Sequence, residues 1–389
     1  MNNNIFRTLI FASFFSVHFL NIANAGAILV DTISDQPQPG FTTLREAIEL
    51  ANNSPGQLIG FDASLFSTPQ TIVLENGELV ISAPMTIFGP GADLLTIDAD
   101  EQSRVFDINA PNTLAEVGLS GMTLFNGSVT GPGGCINNRE QLSLRSVRVA
   151  GCHATANGGG MHSFQASQLL IEDSHFFNNS SGNDGGGMFA QNGLNNQILN
   201  STFSDNLANR SGGGVLIQQV FDFTVANSTF SGNSASTGAG IQIPDDANII
   251  HSTIVFNFGG GLKGEQDNVQ NSIIAGNTLT DCAFDNTGFN NQNNLDSDGS
   301  CGLGASNHLT AADPGLTSLS MHGGPTPVHM PKADSPAVDT GDEILCLGID
   351  QRGINRPQDG DDNGSTLCDI GAVERQLFED IIFNSGFEF

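Results

Sequence analysis

The chain has no Trp, no Tyr and only 12 Lys and Arg against 41 Asp and Glu, a formal net charge of −29. Two Lys and ten Arg in 389 residues cannot assemble the basic patch that neutralises phosphates, so neither a nucleic acid nor an anionic lipid surface is expected as a partner. The missing Trp and Tyr remove the flat aromatic platforms with a polar edge that suit a sugar-binding groove. The 27 Phe lack that edge and belong mostly inside. Past the first 25 residues no apolar run is long enough to cross a bilayer.

Those first 25 residues carry one cation, Arg7, then an apolar run from Leu9 to Leu20, then Ala23-Asn24-Ala25. A positive start, a short apolar core and small residues at the end predict a secretory signal removed after Ala25. The protein is therefore expected to be secreted or held at the cell surface, with no transmembrane segment in the mature chain. Six Cys in an exported chain predict disulfides, and six Cys allow fifteen pairings. Cys282–Cys301 and Cys346–Cys368 are favoured because each staples one loop-rich C-terminal stretch, which leaves Cys135–Cys152.

What is abundant is Gly, at 47 residues, and one short phrase repeated seven times. Its clearest copies are Asn200-Ser-Thr-Phe-Ser-Asp-Asn206 and Asn227-Ser-Thr-Phe-Ser-Gly-Asn233. The copies start at Gly121, Ser146, Asp173, Asn200, Asn227, His251 and Asn271, at spacings of 20 to 27 residues, the mark of a stacked repeat. Three residues in, every copy is apolar: Leu124, Val149, Phe176, Phe203, Phe230, Ile254 and Ile274. Ser recurs one residue in and Asn six residues in, as Asn179, Asn206, Asn233, Asn257 and Asn277. Like residues falling over like at about 4.8 Å is the geometry of a coil, with the apolar column inside and the Asn amides laddered at a corner. Gly-rich clusters such as Gly158-Gly-Gly-Met161 and Gly185-Gly-Gly-Met188 mark a second turn, where φ is positive or no Cβ fits. No Lys-Ser/Thr follows them, so they are not phosphate loops. The fold expected is all-β, a single-stranded right-handed parallel β-helix. A short helix over Thr43-Leu-Arg-Glu46-Ala-Ile-Glu-Leu-Ala-Asn52, with a Thr43/Glu46 capping box, is expected to cover its first coil. The zones expected are 1–25 signal, 26–118 helix and irregular coils, 119–281 regular coils, 282–374 a loop-rich, disulfide-stapled C-terminal cap and 375–389 a tail.

The FxxN phrase (Phe176 to Asn179, Phe203 to Asn206) beside the GG-x-apolar phrase resembles the repeats of polymorphic outer-membrane proteins. Thr43-Leu-Arg-Glu-Ala47 resembles the CSLREA-type motif of exported bacterial β-helix proteins, with Thr42 and Thr43 where that motif has Cys and Ser. Residues 281–374, with Asp350-Gln-Arg-Gly353, Arg356-Pro357 and Cys368-Asp-Ile-Gly-Ala-Val-Glu374, resemble the choice-of-anchor Q domain of bacterial surface proteins. These resemblances imply an exported right-handed β-helix and no defined reaction.

No catalytic residue is assigned by the sequence. The residues with suitable chemistry lie two positions into the phrase, where Thr123, Arg148, His175, Thr202, Thr229 and Thr253 form an outward column. Arg148 and His175, with Asp173 and Glu172 nearby, could supply the cation and base of a polysaccharide lyase. For a metal, Asp359-Gly-Asp361-Asp-Asn363-Gly364 matches the first half of a calcium loop, and Asn294-Leu-Asp296-Ser-Asp298-Gly299 repeats the pattern less strictly, both without the closing Glu. Three functions are carried forward. The first is a non-catalytic scaffold or adhesin-like module; the second is a lyase or glycoside hydrolase of acidic polysaccharide; the third is a calcium-stabilised module binding an envelope component.

Overall fold

In the computed structural model, residues 26–377 are described except for 112–113, 166–167, 221, 244–246, 265–267, 285–291 and 302–307. The expected signal and nearly all of the tail lie outside the described residues.

All seven residues that open the repeated phrase have positive φ, between 45° and 61°. Five positions on, Asn126, Gly151, Asn178, Asp205, Gly232, Phe256 and Gly276 also have positive φ, between 51° and 68°. Each phrase is therefore a short strand, such as Thr202–Ser204 or Thr229–Ser231, held between two left-handed residues. That conformation costs least for Gly, Asn and Asp, which explains why these residues dominate both columns. In the Gly clusters the first residue again needs positive φ, 71° at Gly158 and 67° at Gly185. The second lacks room instead: a Cβ on Gly159 would lie 2.3 Å from the carbonyl oxygen of Gly186 in the next coil.

Every strand pair in the coil stack is parallel and in register. Val149, Phe176, Phe203, Phe230, Ile254 and Ile274 face one another in succession from coil to coil. All are fully buried, and the Phe176, Phe203 and Phe230 rings stack at 4.7 and 5.2 Å. One face, a 19-stranded sheet starting at Ile28–Val30, includes two ten-residue strands, Glu116–Phe125 and Gln141–Ala150, which run through the left-handed corner. In later coils that corner splits the strand in two, as in Gln197–Leu199 and Thr202–Ser204. A nine-stranded sheet runs from Leu79–Ile81 to Cys282–Phe284, and a four-stranded sheet closes the third side. This is the parallel β-helix expected from the repeat.

Two polar ladders run up its buried corners. Ser174, Ser201, Ser228 and Ser272 each accept a backbone N–H of the coil before, as Ser174 does from Val147 at 3.1 Å, and all five phrase Ser donate to the carbonyl two residues back. In the Asn ladder, Nδ2 of Asn179, Asn206, Asn233 and Asn257 donates to Oδ1 of the next Asn at 2.9 to 3.0 Å. The second hydrogen of each Nδ2 goes to a backbone carbonyl, Val149 for Asn179 and Phe203 for Asn233. Every amide thus points the same way, leaving an acceptor at the N-terminal end and a donor at the other. Cys152 meets the acceptor end, its N–H donating to Asn179 Oδ1, and its sulfur crosses the interior to Cys135. Asp281, fully buried, meets the donor end. Its Oδ1 accepts from Asn277 N and Nδ2, and its Oδ2 from Ser297 N and Oγ.

The helix forms at Leu44–Asn53, with the Thr43/Glu46 capping box in place and Leu44, Ala47, Ile48 and Ala51 buried against the first strands. Arg45 pins it through both oxygens of Asp35 and the carbonyls of Gly77 and Glu78. All three expected disulfides are present, with Cα separations of 5.5, 5.1 and 6.0 Å.

The C-terminal segment does more than close the stack. Leu295–Asp296 and Leu309–Thr310 add the last rungs of the split face, and the chain then doubles back along the outside of earlier coils. Thr202 donates to the carbonyl of Pro327, Thr229 to Gln351 Oε1, and Ala372 N–H donates to Thr253 Oγ1. Leu316, Ala337 and Ile370 pack on Val255, Ile273 and Ala275 in the same seam.

The polarity of the Asn ladder is open to an isosteric test. In Asp281→Asn one amide oxygen must serve two pairs of donors, and its own N–H groups face donors on one side or the other. Chemical denaturation is expected to show a loss of about 2 kcal/mol, the cost of buried donors left unpaired. Asn209→Ala, at an exposed site outside the ladder, is expected to stay within about 0.5 kcal/mol of wild type.

Candidate functional site

Register puts the outward column where the repeat predicted it, with Thr123, Arg148, His175, Thr202, Thr229 and Thr253 on successive rungs. The C-terminal segment divides the column. Thr202, Thr229 and Thr253 are buried beneath it, whereas Thr123, Arg148 and His175 stay partly open. Arg148 and His175 are direct neighbours across the sheet.

The side chains around them are already engaged. Arg148 pairs with Asp93, a residue no local signal connects to it, and Arg145 pairs with Glu172. Asp173 sits in the left-handed corner beside Arg145 and Asn200, and burial pushes its carboxyl up. His175 lies against the Phe177 ring at 4.4 Å, with Nε2 2.9 Å from Ser204 Oγ. Burial, and then the Arg148 charge, lowers its pKa to about 3. Arg148, His175 and Asp173 thus share one patch, but the cations are neutralised and the imidazole is a poor proton acceptor. On the nine-stranded face His162 behaves alike: it stacks on Phe189 at 5.6 Å, and burial followed by Arg139 and Arg104 lowers its pKa to about 4.

The two acidic loops separate. Asn294 Oδ1 accepts from Ser272 N, finishing the Ser ladder, and its Nδ2 donates to the Val269 carbonyl. Asp296 Oδ2 accepts Cys301 N–H with His308 beside Oδ1, and Asp298 accepts from Ser300 and Asp281. These oxygens hold the last coil together. Asp359 and Asp361 instead converge with a third carboxylate, Asp339, with one oxygen of each within 4.8 Å of the others. Asn363 lies on the same turn, donating through Nδ2 to Asp361 Oδ2 at 2.9 Å. Asp339 lies twenty residues before Asp359 in an unrelated stretch, so no spacing rule could have found it. Burial, and then the Asp361 and Asp359 charges, raises its pKa to about 6.

Among known proteins, the family model described as a right-handed beta helix region matches residues 117–243. The stack is thus a right-handed parallel β-helix. Among solved structures the chain is similar to the pectate lyase Pel9A, at 12% identity over 91% of this chain and 98% of that one, with a TM-score of 0.46. It is also similar to the A-module of the mannuronan C-5 epimerase AlgE4 of Azotobacter vinelandii, at 13% identity over 69% and 92%, with a TM-score of 0.34. The PL6 family alginate lyase AlyGC shares 13% identity over 85% and 58%, with a TM-score of 0.32. No curated protein matches the chain.

A His kept neutral in the fold but protonated when unfolded contributes stability that is complete above its ordinary pKa and is lost as pH falls toward its folded one. For His175 and His162 that window runs from 6.5 down to about 3 and about 4 respectively. NMR of the imidazoles is therefore expected to show neither ring titrating above about pH 5, with the melting temperature falling as pH drops below about 6.5.

Proposed function

We propose that this chain is an exported, non-catalytic β-helix scaffold, secreted or held at the cell surface, that binds an extracellular polysaccharide or an envelope component along its side. The observation that carries this reading is the state of the open part of the outward column. A lyase needs a free cation to neutralise a uronate carboxylate and a base with a pKa near the working pH. Here both guanidinium groups are paired with carboxylates, and the imidazole beside them has a pKa of about 3. The signal-like first 25 residues and the three disulfides support an oxidising, extracellular setting. The likeness of Thr43–Ala47, the FxxN phrases and residues 281–374 to CSLREA-type, polymorphic outer-membrane and choice-of-anchor Q sequences supports a bacterial surface role.

The competing reading, a lyase or hydrolase of acidic polysaccharide, is favoured by one feature: Arg148 and His175 stand side by side on adjacent, partly open rungs. Purified protein incubated with calcium and a panel of uronate-containing and neutral polysaccharides is expected to release neither unsaturated nor reducing ends. Turnover of any one, reduced about a hundredfold in His175→Ala with the fold intact, would replace the scaffold by the lyase.

A further inference from the structure

Asp339 is the most informative buried group outside the coil stack. It is 92% removed from solvent, at 8% exposure, and sits in a left-handed turn with φ of 50°. Its backbone N–H donates to Asp369 and its Oδ2 accepts Gly360 N–H at 3.1 Å, while Oδ1 has no partner. Oδ1 of Asp359 is also buried and unpartnered, its Oδ2 being taken by Gly364 N–H. An ionised carboxylate stripped of water and of hydrogen-bond donors is unfavourable, and a second and third carboxylate beside it make matters worse. A cation bound from solvent would neutralise the three carboxylates.

We propose that Asp339, Asp359 and Asp361 form a calcium site, with water filling the open side. All these ligands are hard oxygens, which selects calcium over the softer transition metals, and exposed Asp361 leaves room for water. Asp339 takes the part that a closing Glu plays in a continuous calcium loop, reaching in from a different stretch of chain. The ion ties the 359–364 turn to the Asp339 turn. Gly360, between two of the ligands, accepts from the Arg375 guanidinium, so the site adjoins the contacts that hold the C-terminal segment folded. This inference is independent of whether the coil face binds or cleaves anything.

The test is calorimetric titration of chelator-treated protein with calcium chloride at constant ionic strength, paired with thermal melting. One site with a dissociation constant of about 0.1 to 1 mM, the range of extracellular calcium modules, and a raised melting temperature are expected. Asp339→Asn and Asp361→Asn are each expected to weaken binding at least tenfold. Asp362→Asn, which removes an exposed charge from the same turn but no ligand, is expected to leave it within twofold. Should Asp339→Asn fail to fold, Asp361→Asn at its exposed position still decides. Absence of any heat or melting shift up to about 10 mM calcium overturns the proposal. So does equal weakening by Asp362→Asn, which would mean diffuse screening of an acidic surface.

Discussion

A coil that turns through left-handed residues at two corners must bury backbone amides that no neighbouring strand reaches, and the Asn ladder is what pairs them. Asn206 shows the arrangement in one residue. It accepts from the backbone and amide of Asn179, and it donates to Asn233 and to the Phe176 carbonyl. Four bonds on a fully buried side chain tie three coils together, and each is worth roughly 1 kcal/mol net, with a larger penalty if left unmade. Because the amides are aligned, the ladder is polarised and needs a different terminus at each end. A backbone N–H suffices at Cys152; an anion with two acceptor oxygens is needed at Asp281. The stacked Phe rings fill the interior that this frame holds open.

The C-terminal segment relies on a different kind of contact. Arg352, Arg356 and Arg375 are buried with Asp350, Asp369 and Glu374, three guanidinium groups among three carboxyl groups. Arg356 bonds Glu374 at 2.9 Å with both side chains sealed from solvent, and also donates to the carbonyls of Asp369 and Gly371. Burial, and then the Glu374 charge, pushes the Asp369 carboxyl up to about 8. Such a network adds little stability over an apolar core of the same shape, but removing one partner leaves a buried charge, a loss of about 3 to 5 kcal/mol. It fixes the path of a segment that has almost no secondary structure of its own.

Much of this was legible in the sequence because a solenoid writes its geometry as columns. The residues that open each phrase proved to be left-handed corners, the +6 Asn column proved to be the amide ladder, and the +3 column proved to be the sealed interior. The Thr43/Glu46 box fixed the start of the helix, and stapling each C-terminal loop separately gave two disulfides and left the third, Cys135–Cys152, as the remainder. What no column announced was the return of the C-terminal segment. Its contacts join Thr202 to Pro327 and Thr229 to Gln351, across more than 120 residues, through single Thr and Gln side chains that carry no period. Asp93 against Arg148 and Asp339 beside Asp359 were hidden for the same reason.

That returning segment gives the rod two zones with unequal freedom to change length. The coil that opens at Asp173 pairs only with the coils on either side of it among the contacts described, so a duplicated 27-residue unit there would simply lengthen the ladder. From Asn200 to Asn271 the coils are also clasped from outside, through Thr326 at one end and Asp342 and Gly371 at the other. A unit added or lost there would pull the clasp out of step with its anchors. The chain thus carries its own gauge: one end free to drift in length, the other held to a fixed number of turns.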